Sequence, residues 1–343
     1  MRRDPERVLF VLFGAIGDVT RALPLLCRVR RGYPRARLAW AVEPLASPLL
    51  EGHRALDERI VFARHRGVRG FVSLLRTVRS QRFDLVLDLG RQLKSGLTAL
   101  ATGAPVRIGF HRHNSREGNW CFQTETIGPQ EHYSSKLTQY LRFADHLDIS
   151  EAPVEFRLVP TRLARERVGT LLEGVRRPFV VFSLGSSCPS RRWFPENTAE
   201  VADALWNLYG YQPVLLGTEA DRAFGTAVRT SLAAPVCDLV GMTTLGDVVA
   251  VLSDAELVIS PDSGAMHIAA AVGTPVVSLW GATSAARSAP YGFVDAVLTG
   301  EAPCAPCYLK RCPIGRVCMR AVRSEDVLAR VAAIVSGARR AVK

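Results

Sequence analysis

The chain has 343 residues, of which 48% are hydrophobic and 22% are charged, a balance typical of a folded globular protein long enough for two ordinary domains. This composition excludes a disordered chain. The apolar runs are interrupted well before the roughly 20 residues that a membrane-spanning helix needs, which excludes an integral membrane protein. The net charge of +12 predicts a surface that attracts polyanions, although arginines scattered over a solvated surface would give the same charge.

Short apolar runs alternate with amphipathic helical stretches along the chain, which favours parallel sheets built from strand–helix units. The runs are continuous rather than alternating, so the strands are expected to be buried on both faces. The predicted strands of a first sheet are 8–13, 38–42, 84–89 and 106–110. A second series is predicted at 179–184, 213–216, 257–260 and 276–280.

A proline-containing stretch with one charged helical segment separates the two series of strands, and we place the domain boundary there. The predicted organisation is an N-terminal domain over 1–155, a linker over 156–178, a C-terminal domain over 179–323 and a closing helix over 324–343. The closing helix has acidic residues in its first turn and arginines in its last, as the helix dipole favours.

A glycine-rich turn at 14–19 follows the first strand, at the end of an open sheet where ligands collect. Gly14 and Gly17 allow a tight turn, and Asp18 adds a carboxylate. The spacing matches neither the dinucleotide fingerprint nor a P-loop. Asp18 is therefore either a helix cap or a catalytic carboxylate, and the turn by itself favours the cap.

The turn after the strand at 179–184 combines hydroxyl and guanidinium groups, which suit a diphosphate because arginine donates hydrogen bonds in a planar fork. These residues are Ser186, Ser187, Arg191 and Arg192. An exposed basic loop without a ligand is the alternative interpretation.

Glu219 follows the strand at 213–216, where its carboxylate would accept hydrogen bonds from ribose hydroxyls. Further along, Met242 is either a surface on which a base packs or a buried structural methionine.

The strand at 257–260 leads into a helix whose first amides are suited to hold a phosphate. Asp262 or Ser263 is expected to cap this helix. Gly264 has no side chain, so it should leave the backbone amides at the start of the helix accessible to a phosphate. His267 is expected to be a packed or capping histidine rather than a catalytic one, and it is counted with Asp262, Ser263 and Gly264 among the candidate residues of the donor site.

Four of the eight cysteines fall in one short loop over 304–318: Cys304, Cys307, Cys312 and Cys318. Four thiolates at this spacing can coordinate one tetrahedral metal ion, so a structural zinc or iron is predicted. Free thiols on a loop are the alternative, because a single local cluster is weaker than two separated C-x-x-C pairs.

In this order and spacing, the motifs resemble glycosyltransferase family 9, the lipopolysaccharide heptosyltransferases, over almost the whole chain. The segments that carry the resemblance are 14–19, 190–195, 217–219, 262–267, 273–275 and 280–283. The resemblance implies a GT-B fold, in which two doubly wound Rossmann-like domains face each other across a cleft. It also implies inverting transfer of heptose from ADP-heptose to a lipopolysaccharide inner-core acceptor, with no cofactor for catalysis.

The resemblance further implies roles for single residues. Asp18 would be the general base, on the acceptor side with Gly14 and Gly17. The helix beginning near Ser263 would hold the donor phosphates. The other donor-binding residues would be Ser186, Ser187, Glu219 and Arg191 or Arg192. Arg191 stands where the family usually has lysine, so the division of roles between the two arginines is open.

Some members of the resembled family carry an iron-binding cysteine finger, which supports a metal in the cysteine loop without choosing zinc or iron. The expected location is the cytoplasm, with peripheral association at the inner face of the inner membrane and no nucleic-acid partner. A related transferase with another nucleotide sugar or a protein acceptor is the alternative enzyme. A basic protein that binds nucleic acid or a membrane surface is the alternative of another class.

Overall fold

The computed structural model describes residues 4–131 and 133–341, so the outermost residues of the predicted segments 1–155 and 324–343 lie outside it. The chain divides into two compact units, Met1–Leu158 and Val159–Lys343. Each unit contains a six-stranded sheet whose described strand pairs are all parallel. The predicted class, α/β with two Rossmann-like domains, is confirmed.

The first unit has the strand order β3-β2-β1-β4-β5-β6, the classic dinucleotide-binding arrangement. Its strands are β1 (Arg7–Val11), β2 (Arg37–Val42), β3 (Glu58–Val61), β4 (Leu85–Asp88), β5 (Val106–Gly109) and β6 (Glu125–Thr126). Its helices are α1 (Ile16–Gly32), α2 (Gly67–Ser80), α3 (Leu93–Thr102) and α4 (Lys136–His146). The strand order reverses between β1 and β4, which is where such sheets bind ligands.

The second unit repeats this arrangement. Its strands are β7 (Phe179–Ser183), β8 (Gln212–Leu216), β9 (Cys237–Asp238), β10 (Leu257–Pro261), β11 (Val276–Trp280) and β12 (Val297–Thr299). The order β9-β8-β7-β10-β11-β12 is the same as in the first unit, with the switch point between β7 and β10.

The helices of the second unit connect and cover these strands. They are α5 (Arg162–Leu171), α6 (Pro195–Tyr209), α7 (Arg222–Ser231), α8 (Leu245–Asp254), α9 (Gly264–Ala271), α10 (Ala285–Ser288), α11 (Val317–Arg320) and α12 (Ser324–Ala341). Thr161 caps α5 by accepting a hydrogen bond from the backbone N–H of Ala164. Since α5 packs against α8, this part of the predicted linker 156–178 lies in the second unit.

The central strands are buried because their residues are apolar on both faces. In β1, Val8 to Val11 are all inaccessible to solvent, and the ring of Phe10 stacks on Trp40 of β2 with centroids 5.2 Å apart. The indole N–H of Trp40 donates to the carbonyl of Leu12 at 3.1 Å, so a buried polar group is satisfied. This packing fixes the end of β1, from which the glycine-rich turn leaves the sheet.

Across the described ranges 4–131 and 133–341, no helix combines the length and apolarity needed to cross a membrane.

Candidate active site

Asp18 lies in the first turn of α1, next to the switch point of the first sheet. The residue at the cap position is Ala15, and Asp18 donates its backbone N–H to the Ala15 carbonyl at 3.0 Å. Asp18 is therefore not the helix cap, which was the alternative interpretation of its sequence position. The side chain is 20% exposed, so a substrate hydroxyl has access to it.

Two cations hold one oxygen of the Asp18 carboxylate. The Arg21 guanidinium donates to Oδ1 at 2.6 Å, and the Lys136 ammonium donates to the same oxygen at 2.7 Å. Burial alone would raise the pKa of Asp18, but the charges and hydrogen bonds of Lys136 and Arg21 outweigh it and lower the pKa far below its usual range. The carboxylate is therefore ionised at every pH at which the protein would work.

Lys136 is a site residue that the sequence did not reveal. It begins α4, 118 residues from Asp18, and belongs to no recognisable motif. Gly14 and Gly17, by contrast, lie where the turn was expected. A Cβ on Gly14 would meet no described atom within 4 Å, whereas Gly17 is buried in α1.

Asp88 is a second carboxylate at this switch point, and it is fully buried at the end of β4. Its Oδ2 accepts hydrogen bonds from the amides of Asn119 at 2.7 Å and Gln123 at 2.8 Å, and its Oδ1 accepts the N–H of Gly90 at 3.0 Å. Burial raises the pKa of Asp88 to about 7 in spite of these donors. Asp88 thus anchors the 119–123 segment beside the end of β1.

In the second unit, Asp262 joins three loops at the switch point between β7 and β10. Its Oδ2 forms an ion pair with Arg191 Nη1 at 2.9 Å and accepts a hydrogen bond from the Thr283 hydroxyl at 2.7 Å. Its backbone carbonyl accepts the Ser186 hydroxyl at 2.9 Å. Thr283, which follows β11, was not among the expected site residues, although the segment 280–283 carried part of the resemblance.

Arg192 points to a different carboxylate from its neighbour. It pairs with Asp221, whose Oδ2 accepts the backbone N–H of Thr218 at 2.9 Å and its hydroxyl at 2.7 Å. The Asp221 side chain is only 3% exposed. This buried pair ties the loop after β7 to the turn after β8, so the two arginines, which the sequence left undivided, have different contacts.

The start of α9 has no side-chain cap, although Asp262 or Ser263 was expected to provide one. Ser263 occupies the cap position, but its hydroxyl lies 2.9 Å from that of Ser260 and makes no side-chain cap to the helix amides. The helix itself begins at Gly264. His267 is 4% exposed within α9, as expected of a packed histidine, whereas Ser187 is exposed on the loop after β7.

Glu219 and Met242 both lie at the surface beside the end of β8. Glu219 is 71% exposed, and the hydrogen bond from Arg222 lowers its pKa. Met242 is 51% exposed, so it is not the buried structural methionine that the sequence left open. Gly241, the residue before Met242, has φ +77°, and a Cβ at this position would come within 2.5 Å of Glu219 Oε2. Glycine therefore suits this position for its backbone conformation and for its lack of a side chain.

The four cysteines of the 304–318 loop lie near one another without forming a metal site. Among the described residues, no group of three or more His, Cys, Asp or Glu side chains is arranged to hold a metal. Cys318 is buried in α11, and burial together with the charges of the other three thiols raises its pKa, whereas Cys304 is exposed. The predicted zinc or iron at Cys304, Cys307, Cys312 and Cys318 is therefore not supported.

Comparison with known proteins points to one family. Residues 71–318 match the sequence model of glycosyltransferase family 9 (heptosyltransferase). The lipopolysaccharide core heptosyltransferase OpsX of Haemophilus influenzae is 26% identical over 298 residues, covering 86% of this chain and 84% of the relative.

Two solved structures from E. coli share the fold. ADP-heptose lps heptosyltransferase II has a TM-score of 0.79 and 21% identity, covering 97% of this chain and 99% of the other. Heptosyltransferase WaaC with ADP has a TM-score of 0.74 and 20% identity, covering 95% and 98%. These likenesses agree with the GT-B class expected from the sequence motifs.

Proposed function

This chain belongs to glycosyltransferase family 9, the heptosyltransferases, and from that premise we propose that it transfers heptose from ADP-heptose to a lipopolysaccharide inner-core saccharide. As a member of this family, the chain is a glycosyltransferase. The donor and acceptor are proposed because the relatives are named as lipopolysaccharide heptosyltransferases, one of them for ADP-heptose.

The observation that carries the proposal is the group around Asp262. It combines the Arg191 guanidinium, two hydroxyls and the start of α9, which has no side-chain cap, within one switch point. A helix N-terminus and a guanidinium both stabilise phosphate oxygens. We propose that Arg191 and the first amides of α9 bind the donor diphosphate, with Ser187 nearby and Ser186 holding the Asp262 loop.

Breaking the glycosidic bond leaves a negative charge on the departing ADP. Groups already oriented toward that oxygen stabilise the charge without reorganisation, and Arg191 with the α9 amides would do so here. Asp262 would orient Arg191, and the Thr283 hydroxyl would in turn orient Asp262.

We propose that Arg192 contributes mainly by fixing the loop after β7, since it is paired with Asp221. Glu219 and Met242 are proposed to meet the ribose and the base.

For the acceptor, we propose that Asp18 is the general base. The acceptor oxygen forms a bond to the anomeric carbon as the bond from that carbon to the phosphate oxygen breaks, and Asp18 takes the acceptor's proton. The reaction inverts the anomeric configuration because it is a single displacement. Lys136 and Arg21 keep the carboxylate ionised and oriented for this step.

The test is to incubate the purified chain with ADP-heptose and a lipopolysaccharide acceptor that lacks inner-core heptose. We expect release of ADP and a gain in acceptor mass equal to one heptose, both measured by mass spectrometry. Asp18→Asn serves as the control for catalysis. Transfer from a UDP- or GDP-sugar in place of ADP-heptose would contradict the proposed donor, and transfer to a protein would contradict the proposed acceptor.

We also propose that the enzyme works in the cytoplasm, at the inner face of the inner membrane. The segment from Arg64 to Ser80, which includes α2, has five arginines and no acidic residue, and all five are exposed. Anionic lipid headgroups attract such a surface. Sedimentation with vesicles of anionic lipid, and not with neutral vesicles, is the expected result, whereas equal binding to both would contradict this location.

A further inference from the structure

The cysteine-rich segment, residues 304–318, contacts both loops that supply partners to Asp262. The backbone N–H of Tyr308 donates to the carbonyl of Ala282 at 2.8 Å, and the N–H of Ser190 donates to the carbonyl of Lys310 at 3.2 Å. Ala282 precedes Thr283, and Ser190 precedes Arg191. Each backbone contact is therefore one residue away from a side chain that contacts the Asp262 carboxylate, Thr283 through a hydrogen bond and Arg191 through an ion pair.

The Arg316 side chain also contacts the donor loop, which connects β7 to α6 and carries Arg191. Its Nη1 donates to the backbone carbonyls of Arg192 at 2.8 Å and Trp193 at 3.1 Å. Its guanidinium also lies 4.3 Å from the ring centroid of Phe194. Hydrogen bonds from a charged donor are stronger than those between neutral groups, so these contacts restrict the backbone that follows Arg191.

Arg316 is itself held in an unfavourable backbone conformation, with φ +56° and ψ +46°. Its backbone N–H donates to Cys312 Sγ at 3.1 Å. The sulfur therefore helps to keep the Arg316 side chain directed at the donor loop. Because Cys304 is exposed and has no contact of this kind among the described hydrogen bonds, the thiols of the segment are not equivalent.

We infer that Arg316 is a positioning residue for donor binding and that the cysteine-rich segment fixes the loop carrying Arg191. The inference rests on the proposed function. Without the two carbonyl contacts, the loop samples more conformations, and binding of the diphosphate must then order it at a cost in affinity. The contacts described for the Arg316 side chain are with residues of the second unit, whereas the proposed base Asp18 belongs to the first, so the chemical step should be little affected.

Titration calorimetry with ADP provides the test, comparing wild type with Arg316→Met and Arg320→Met. Arg320 is a matched control because its guanidinium lies over the same Phe194 ring, also at 4.3 Å, without the carbonyl contacts described for Arg316. We expect the Kd for ADP to rise about tenfold in Arg316→Met and by no more than about twofold in Arg320→Met. In turnover assays, the KM for the donor should rise far more than kcat falls.

Unchanged ADP affinity in Arg316→Met, or equal weakening in both arginine variants, would overturn the inference. A wild-type protein that does not bind ADP would instead contradict the proposed function itself. If Arg316→Met does not fold, as judged by circular dichroism, Arg316→Lys keeps the charge and one donor and should weaken ADP binding by about threefold. Full affinity in a folded Arg316→Lys would then overturn the inference.

The two cysteines supply an independent comparison. Cys312→Ala removes the sulfur that accepts the Arg316 N–H, so it should weaken ADP binding, whereas Cys304→Ala should leave it unchanged. Equal weakening in both variants would mean that the thiols act as one set, and it would overturn the assignment of Cys312 to the positioning of Arg316.

Discussion

One carboxylate oxygen of Asp18 accepts hydrogen bonds from two cationic side chains, Arg21 and Lys136. These contacts determine how Asp18 would act as a base. A strongly lowered pKa keeps the group ionised but makes it a weak proton acceptor. An acceptor whose own anionic groups draw Lys136 away would raise the pKa of Asp18 just before proton transfer. If Asp18 is the proposed base, the ion pairs would link binding of the acceptor to the basicity of the carboxylate.

Replacing Asp18 by asparagine keeps the size of the side chain and removes its basicity. We expect kcat to fall by about 10² to 10⁴, the range usual for a lost general base. ADP affinity should stay at the wild-type value because the proposed donor site lies wholly in the second unit. Steady-state transfer and calorimetry measure the two quantities, and near-wild-type turnover would remove Asp18 from the mechanism.

Replacing Lys136 by methionine removes one charge and one hydrogen bond from the Asp18 carboxylate. The pKa of Asp18 should rise because burial, which raises it, is then opposed by Arg21 alone. Activity would consequently fall as the pH drops through the higher pKa, so an acid limb in kcat/KM should appear or move to higher pH. Lys136→Arg keeps the charge and should restore the wild-type profile; identical profiles for wild type and the methionine variant would contradict the prediction.

Asp88 makes stability depend on pH in the opposite direction from a carboxylate whose pKa is lowered by folding. Its folded pKa of about 7 lies above the ordinary value of 3.8, so between these values the folded state binds more protons than the unfolded state. The free energy of unfolding should therefore fall as the pH rises from about 4 to 7, by on the order of a few kcal/mol. In urea titrations at pH 5 and pH 8, the free energy of unfolding of Asp88→Asn should differ less between the two pH values than that of the wild type. An equal difference in both proteins would contradict the role given to Asp88.

The sequence identified the polar residues of the strand-ending turns but not how they pair. Arg191 and Arg192 are adjacent, yet one pairs with Asp262 and the other with Asp221. Only the fold decides which carboxylate each arginine reaches. Lys136 and Arg316 act across long stretches of chain, and no local pattern distinguishes them from other basic residues in a chain with 44 lysines and arginines.

The secondary-structure elements differ sharply in how well their residues predict them. All eight strands expected from apolar runs are present, with ends shifted by at most two residues. The four strands that were not expected, β3, β6, β9 and β12, are the four edge strands. They have two to four residues each and are only partly buried, so they lack the continuous apolar run that marks a central strand.

The short helical turn at Glu219–Asp221 provides a stability test with its own control. Asp221→Asn breaks the buried pair with Arg192 and weakens the contacts to Thr218, so the free energy of unfolding should fall by about 3 kcal/mol. Glu219→Gln breaks only an exposed pair with Arg222 and should leave stability unchanged within error. Denaturant titration measures both variants, and equal effects would contradict the role given to Asp221.

At the scale of the whole molecule, the described residues form two sheets of identical strand order, each with its own buried core. All the contacts described for Arg191, Asp262 and Arg316 are made within the second unit. A protein comprising residues 159–343 should therefore bind ADP with close to wild-type affinity and show no transfer. Calorimetry on this fragment tests the prediction, and a folded fragment without ADP affinity would contradict it.

The division at Leu158–Val159 has a practical consequence for changing specificity. Chimeric enzymes that join the first half of this chain to the second half of another family member should take their nucleotide-sugar preference from the transplanted half. Their choice of saccharide acceptor should remain that of the half retained from this chain. Two independently exchangeable halves would allow new pairings of nucleotide sugar and saccharide acceptor to be assembled without redesigning either binding surface.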